Sequence, residues 1–451
     1  MTQIRRNIES VLHSWMTSEN RKPLLLRGAR QIGKTWLMRS FGRANFEHVA
    51  EFNFDHVPEL ASVFEKSKDV ERILKELSLY TKAPVVAGKT LIIFDEIQEC
   101  EAALNSLKYF CEDAPEYHVI AAGSLLGMAV RAKRMTVPVG KVQVLRMYPI
   151  SFSEYLQTAD ASTWNYVRDH LRSVEPLPEI VLSRLQLEYK RYMVCGGMPE
   201  AAAAMLQGDS QQKIDDVLQS ILDLYEMDFA KYATPVQTTR ISSLWKSLPS
   251  QLAKQNKKFV YNVVKQGARA RDYEDALIWL EESGLVYRVY DVSKPAMPLS
   301  AYKDLSAFKL YACDGGLLRQ LAKLPAEIVM DGNSNYLEFR GAMAENMVLL
   351  SCLHQFDDVP YYWTSGNTAE IDFVVQHKTD IVPVEVKSEQ GVHSRSLSVY
   401  REKFTPSVSI RFSMRNLQSD GSLVNCPLPL ADWIWTLLEQ QGGETTSQIL
   451  P

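Results

Sequence analysis

The chain has 451 residues, more than one ordinary hydrophobic core takes, so roughly two to four domains are expected. Hydrophobic content of 46% with 23% charged residues describes a globular protein and excludes a disordered one. A net charge of −4, from 50 Lys plus Arg against 54 Asp plus Glu, gives no global basic signal for nucleic acid, though it leaves room for a local basic face. The six cysteines are scattered without a C-x-x-C pair, which fits reduced thiols in the cytoplasm better than a disulfide framework or a zinc site. No apolar run approaches the ~18–20 residues of a membrane span, and the charged, amphipathic N-terminus is no secretory signal, so no membrane partner is expected.

Ile4, Ile8, Val11, Leu12 and Trp15 recur at helical spacing, which predicts an amphipathic helix packed on the domain it precedes. Leu24-Leu25-Leu26 is a short buried strand that runs into Gly28-Ala29-Arg30-Gln31-Ile32-Gly33-Lys34-Thr35, and helical spacing resumes over residues 36–41. Gly-x-x-x-x-Gly-Lys-Thr between a strand and a helix is the Walker A pattern. Gly28 and Gly33 let the backbone of this loop turn its N–H groups inward to cradle the phosphates of ATP at a helix start. Lys34 supplies a point charge to the β- and γ-phosphates, and the Thr35 hydroxyl is placed to ligate Mg²⁺. A glycine-rich turn that happens to hold Lys-Thr is the competing reading, and the flanking strand and helix count against it.

Residues 49–54 read as a second strand and residues 73–80 as a helix. Leu91-Ile92-Ile93-Phe94 then forms the continuous apolar run of a parallel strand buried on both faces, and it ends in Asp95-Glu96. As a Walker B strand, it gives Asp95 to hold Mg²⁺ and Glu96 to polarise the attacking water; a core strand with a capping acid pair is the other reading. Residues 117–122 form the next strand, ending at Gly123-Ser124, where Ser124 can sense the γ-phosphate or simply serve a turn. The last strand covers residues 141–147. Arg131, Arg134 and Arg146 are the local candidates for a transition-state arginine, and nothing in the sequence selects among them.

Helical patterns over residues 156–232, such as 185–193 and 214–229, predict a helical lid. Gly196-Gly197-Met198-Pro199 breaks it between two helices, as a hinge or as a structural turn. Helices at 241–255, 262–270 and 271–283, a short strand at 259–261, and strands at 285–290 and 307–311 give a winged-helix order. Lys257, Lys258, Lys265, Arg269 and Arg271 place positive charge near its recognition helix, but Asp272, Glu274, Asp275, Glu281 and Glu282 on that helix would repel phosphates and favour domain packing over DNA reading.

A second constellation begins at Glu345, close to the apolar helix face of Met343, Met347 and Leu350. Glu370 and Asp372 share a face of one strand, and Glu385 and Lys387 share a face of the next, because strand side chains alternate. A helix acid, a strand acid and Glu-x-Lys on the adjoining strand is a restriction-endonuclease-like arrangement. In it Asp372 and Glu385 would hold Mg²⁺, Lys387 would orient or deprotonate the attacking water, and Glu345 would complete the shell. A solvated hairpin face with cross-strand charge pairs is the competing reading. Residues 431–439 read as a short helix before a polar tail.

The Walker motifs, Gly123-Ser124 and Pro149-Ile150-Ser151-Phe152-Ser153-Glu154-Tyr155 resemble those of prokaryotic AAA-type ATP-binding proteins, in which an ATPase module is joined to a C-terminal domain of unknown function related to restriction endonucleases. Gly196-Gly197-Met198-Pro199-Glu200, Tyr311-Ala312-Cys313-Asp314-Gly315-Gly316-Leu317 and Glu370-Ile371-Asp372-Phe373 extend the resemblance over nearly the whole chain, and Gly140-Lys141 departs from the Gly-Arg of the pattern. The expected fold class is α/β: a P-loop AAA-type parallel-sheet core at 1–155, a helical lid at 156–235, a winged-helix-like segment at 236–311, an α/β restriction-endonuclease-like domain at 312–440 and a tail at 441–451. Two functions are implied. One is an ATPase whose nucleotide state controls a metal-dependent nuclease-like domain acting on DNA. The other is an ATPase switch with an inactive endonuclease-like docking domain for a protein, a second copy of the chain, or nucleic acid. A small-molecule kinase would leave several hundred residues unexplained.

Overall fold

The computed structural model describes residues 3–81, 84–123, 136–254, 257–331, 337–366, 368–388 and 395–443. The chain divides into two compact units, Arg6–Tyr148 with Glu282–Leu285, and Pro149–Glu281 with Val286–Pro451 and Met1–Arg5.

In the first unit β1 (Leu24–Arg27), β2 (His48–Asn53), β3 (Thr90–Asp95), β4 (His118–Gly123) and β5 (Gln143–Arg146) form a parallel sheet in the order β2-β3-β4-β1-β5. The apolar runs of β1 and β3 are buried as strands covered on both faces must be. Helices Lys34–Asn45, Val70–Thr81 and Glu101–Asp113 pack beside the sheet, and a cluster built on Phe94 holds one side. Phe54, Phe64 and Phe110 meet the Phe94 ring edge-on at centroid distances of 5.8, 5.5 and 5.9 Å. Each such ring stabilises the unit by about 1.5–3 kcal/mol through burial alone. The first helix, Ile8–Thr17, buries Leu12 and Trp15, whose indole donates to the Lys22 carbonyl at 2.8 Å, whereas Val11 faces outward at 41% exposure. Its apolar stripe is narrower than the sequence pattern suggests.

The second unit opens with helix Phe152–Ala159, started by a reciprocal capping box between Ser151 and Glu154. Helices Ala161–His170, Glu179–Cys195, Pro199–Leu206, Gln211–Tyr232 and Pro235–Leu252 come next. Gly196-Gly197 is a packed crossing here and not a free hinge. A Cβ on Gly197 would lie 2.0 Å from the Ile150 carbonyl oxygen, one on Gly196 2.2 Å from Asp314, and one on Gly316 2.3 Å from the Cys195 carbonyl oxygen. The buried Asp314 carboxylate ties the two glycine pairs, accepting from Gly197 N at 2.6 Å and from Leu317 N at 2.8 Å at the start of helix Gly315–Leu321. Burial pushes the Asp314 carboxyl up to about 6 against these N–H donors.

β6 (Val286–Val292), β7 (Lys303–Ala312), β8 (Tyr361–Thr364), β9 (Glu370–His377), β10 (Asp380–Val386), β11 (Ser409–Ser413), β12 (Gln418–Asp420) and β13 (Leu423–Pro427) form a mixed sheet in the order β12-β13-β11-β10-β9-β8-β6-β7. The β6–β7 hairpin, read from sequence as a wing, is hydrogen-bonded into this same sheet through the Asp291↔Tyr362 pairing. The helix expected at 262–270 is a single turn, Tyr261–Val264, because the chain must pass Gly267 in a left-handed conformation (φ +76°) before helix Ala270–Glu282 starts. Phe259 adds one backbone bond to Phe308 (2.8 Å) and stacks on its ring in place of a full strand. Among the described residues no helix is long and apolar enough to cross a membrane. Residues 444–451 of the expected tail lie outside the described residues.

Candidate functional site

The Walker A loop leaves β1 at Gly28 and enters helix Lys34–Asn45 through Gly33, whose φ of +91° is left-handed. Gly28 cannot carry a side chain, since a Cβ would sit 2.3 Å from the Met147 carbonyl oxygen and 2.5 Å from the Ile32 side chain. Gln31 is also left-handed (φ +64°), a conformation that costs a non-glycine residue about 1–2 kcal/mol. Such a strained loop at a helix start builds an anion-binding concavity. Ala29 and Ile32 are buried beneath it, and Arg30 is half-buried.

Lys34 is buried with its ammonium donating to the carbonyls of Gly28 (2.9 Å) and Ala29 (2.6 Å). Burial pushes its pKa down to about 8, while Glu96 and Asp95 pull it back up and Arg30 adds to the fall. The Thr35 hydroxyl donates to Asp95 Oδ2 at 2.9 Å, and Glu96 N donates to Asp95 Oδ1 at 3.1 Å. Burial raises the Asp95 carboxyl above its ordinary value, against the Thr35 hydrogen bond. Glu96 takes a left-handed turn (φ +51°) just past β3, and the Gln98 amide donates to its carboxylate at 2.5 Å. Walker A and Walker B thus meet at strands β1 and β3, with β4 between them.

These residues fit ATP and Mg²⁺ on chemistry. A glycine cradle, a buried cation beside it and an acid–hydroxyl pair offer phosphate and hard-cation ligands together. Ser124, Arg131 and Arg134 lie outside the described residues, and Arg146 is exposed at the end of β5. Two participants escaped the sequence reading. Asn53 at the end of β2 donates to Asp95 Oδ2 at 3.4 Å, and Gln98 orients Glu96. Gln98 lies two residues beyond the acid pair, a proximity that could have flagged it; Asn53 has no such signal.

In the C-terminal unit Glu345 is buried on helix Leu337–Leu353, at 5% exposure. The antiparallel β9–β10 register pairs Val384 with Phe373, and its continuation sets Glu385 opposite Asp372 on one face. That is the register the constellation requires. The acids, however, are already partnered. Glu345 forms an ion pair with Lys257 and accepts from the Tyr311 hydroxyl at 3.2 Å. Glu370 pairs with the fully buried Lys309, and Glu385 with Lys387 at 2.6 Å. Asp372 Oδ2 accepts from Val386 N at 2.8 Å.

Burial, then Glu345 and Glu385, pushes the Asp372 carboxyl well above the carboxylate range. Burial also raises Glu345, but Lys257, Lys309 and Tyr311 outweigh it and leave the carboxyl below its ordinary value. Among the described residues no group of three or more His, Cys, Asp or Glu is arranged to hold a metal ion. On its donor set this cluster does not fit Mg²⁺ as the nucleotide site does. Lys257, Lys309 and Tyr311 were not read as part of it, since their partners are far away in sequence.

Fold and site together define a P-loop nucleotide-binding domain. Residues 20–156 match the family described as an AAA domain, and this segment is of the AAA type. Residues 186–328 match a domain of unknown function (DUF8612), and residues 340–431 match another (DUF4143). No curated protein gives a significant match to the chain. Among solved structures, the chain is similar to the Walker-type ATPase PABY2304 of Pyrococcus abyssi, with 14% identity, 71% of this chain and 96% of that chain covered, and a TM-score of 0.43. It is also similar to the Aeropyrum pernix ORC2 protein in ADPNP-ADP complexes, at 14% identity, 76% and 95% coverage and a TM-score of 0.33. The Thermotoga maritima RuvB Holliday junction branch migration motor is similar at 12% identity, 62% and 87% coverage and a TM-score of 0.24. Superpositions this loose carry no argument about the chain as a whole.

Proposed function

We propose that the Arg6–Tyr148 unit hydrolyses ATP and that its nucleotide state controls the C-terminal unit, which docks a partner instead of cutting nucleic acid. The observation that carries the first half is the Thr35–Asp95 hydrogen bond at 2.9 Å, which joins Walker A to Walker B. Thr35 and Asp95 would hold Mg²⁺, which supplies charge neutralisation at the β- and γ-phosphates. The backbone of Gly28, Ala29, Arg30, Gln31, Ile32 and Gly33 cradles the phosphates, and the Lys34 ammonium exchanges its two loop carbonyls for phosphate oxygens. Glu96, oriented by Gln98, polarises the attacking water, and Ser124, which follows Gly123 in the sequence, is the candidate γ-phosphate sensor.

The second half is supported by the lysine and backbone partners of Glu345, Glu370, Asp372 and Glu385. The competing reading, supported by the family resemblance and by the β9–β10 register, is a metal-dependent nuclease in which Asp372 and Glu385 bind the ion, Lys387 handles the water and Glu345 completes the shell. DNA, another protein or a second copy of the chain are the candidate partners. The test incubates the full chain with supercoiled and single-stranded DNA, Mg²⁺ or Mn²⁺, with and without ATP. ATP should turn over while both DNAs stay intact. Cleavage that disappears in Lys387→Ala would contradict docking, and a chain that turns over no ATP would contradict the first half.

A further inference from the structure

Four carboxyl groups of the C-terminal cluster meet three ammonium groups of the same chain. Lys387 belongs to the Glu-x-Lys pattern, but Lys257 and Lys309 come from elsewhere. Lys257 enters from the segment ahead of the Tyr261–Val264 turn, and Lys309 from β7. Lys309 has no solvent exposure, and it lies 4.9 Å from the Tyr362 ring centroid while paired with Glu370. The Lys257 side chain is 14% exposed and reaches Glu345 on helix Leu337–Leu353. Lysine is almost never fully buried, and burying its charge is costly unless a partner repays it. One of these lysines holds Glu345, the acid that would complete a divalent ion's shell, and the other holds Glu370, two residues from Asp372 on β9; together they are the cationic half of the cluster, supplied by the fold.

We propose that Lys257 and Lys309 are the resident cations of this cluster: with Lys257 on Glu345 and Lys309 on Glu370, the wild-type chain takes up no divalent ion here. This deepens and rests on the docking reading. It also names the side chain that enforces it. Lys257 is the less buried of the two and holds the helix acid, so removing its charge should leave the buried Glu345 without its ion-pair partner, with only the Tyr311 hydroxyl and the charge of Lys309 to support it, a state that draws in an external cation. Lys309, fully buried on β7, should be needed for folding itself.

The test is Mn²⁺ binding, followed by electron paramagnetic resonance of the free ion, on the full nucleotide-free chain carrying Asp95→Asn, which removes the carboxylate that would ligate the ion at the P-loop. This background should bind no equivalent of Mn²⁺. Adding Lys257→Met, which keeps the apolar stem, should create Mn²⁺ binding at least about tenfold tighter than the background, together with a Mn²⁺-dependent rise in Tm. Adding Glu345→Gln to that variant should abolish both. One equivalent bound by the background and lost in Asp372→Asn would overturn the proposal, and so would a folded Lys257→Met chain that stays silent. If Lys257→Met does not fold, the background titration decides: silence supports the resident-lysine account, and an Asp372-dependent equivalent refutes it. DNA cleavage would sink the docking reading, whereas Mn²⁺ uptake without cleavage would sink only this inference.

Discussion

Thr35 and Asp95 stand 60 residues apart in sequence, yet their side chains meet at 2.9 Å, because β1 and β3 flank β4 in one parallel sheet. The chemistry of the nucleotide site is set residue by residue in this way. Asp291 is a contrasting case, a half-buried acid outside it. It sits at the pairing that joins β6 to β8, with Thr364 Oγ1 at 3.4 Å from one carboxylate oxygen and no hydrogen bond to the other among the described residues. Burial pushes its pKa from 3.8 up to about 6, with Asp304 adding and Thr364 opposing. Between those values the folded chain holds a proton that the unfolded chain has lost. The resulting stability is present as pH falls below about 6 and is lost as pH rises through it. Asp291→Asn removes this dependence. The stability of wild type minus variant, from paired urea melts, should therefore improve by about 0.5–1 kcal/mol between roughly pH 7.5 and 5, a figure reduced for partial exposure. A difference that is flat with pH would show that Asp291 does not titrate there.

At the scale of elements, the glycine crossing is the least forgiving junction. Gly197→Ala places a Cβ against backbone, where neither the Ile150 carbonyl nor its N–H can move without losing the 2.7 Å Ile150 N to Gly197 O bond and the 2.5 Å bond from the Tyr192 hydroxyl. Overpacking of this kind costs about 1–3 kcal/mol or more, and Tm should drop by several degrees. Gly208→Ala is the control for sterics. Unlike Gly197 it is left-handed (φ +73°), but it has open space around it, so only the conformational cost of about 1 kcal/mol applies. Equal losses in the two variants would mean that the crossing is not sterically tight.

The same elements show what the sequence could and could not disclose. Walker A is contiguous, so its strand, loop and helix are legible from spacing alone, as is the Walker B strand from its apolar run. Strand alternation also placed Asp372, Glu385 and Lys387 on one face; the register, continued one pair past Val384↔Phe373, sets Glu385 opposite Asp372, and Lys387 follows the end of β10. Their partners were not legible. Lys257 lies 88 residues from Glu345, and Gly197 lies 117 from Asp314, separations over which no local pattern carries information. The wing-like hairpin was legible as strands, but its place beside β8 depends on a pairing between distant segments.

Taken as a whole molecule, the chain passes from the nucleotide unit to the C-terminal unit at Tyr148 and Pro149. Met147 N is bonded to the Arg27 carbonyl at 2.8 Å, next to Gly28, and Ile150 is fixed by Gly197. The stretch between them is short, so a change at the phosphate loop has a covalent route to the Ile150 anchor, which is how nucleotide state would reach the C-terminal unit under the proposed function.

That function stands or falls on whether Glu96 activates water in a site that otherwise binds ATP intact. The decisive measurement is ATP affinity and steady-state turnover of wild type, Glu96→Gln and Lys34→Ala side by side. Glu96→Gln should bind ATP as wild type does and lose ~10²-fold or more in turnover, while Lys34→Ala should lose binding itself. Wild-type turnover in Glu96→Gln, or undiminished ATP affinity in Lys34→Ala, would contradict the assignment of this loop and strand as the hydrolytic centre.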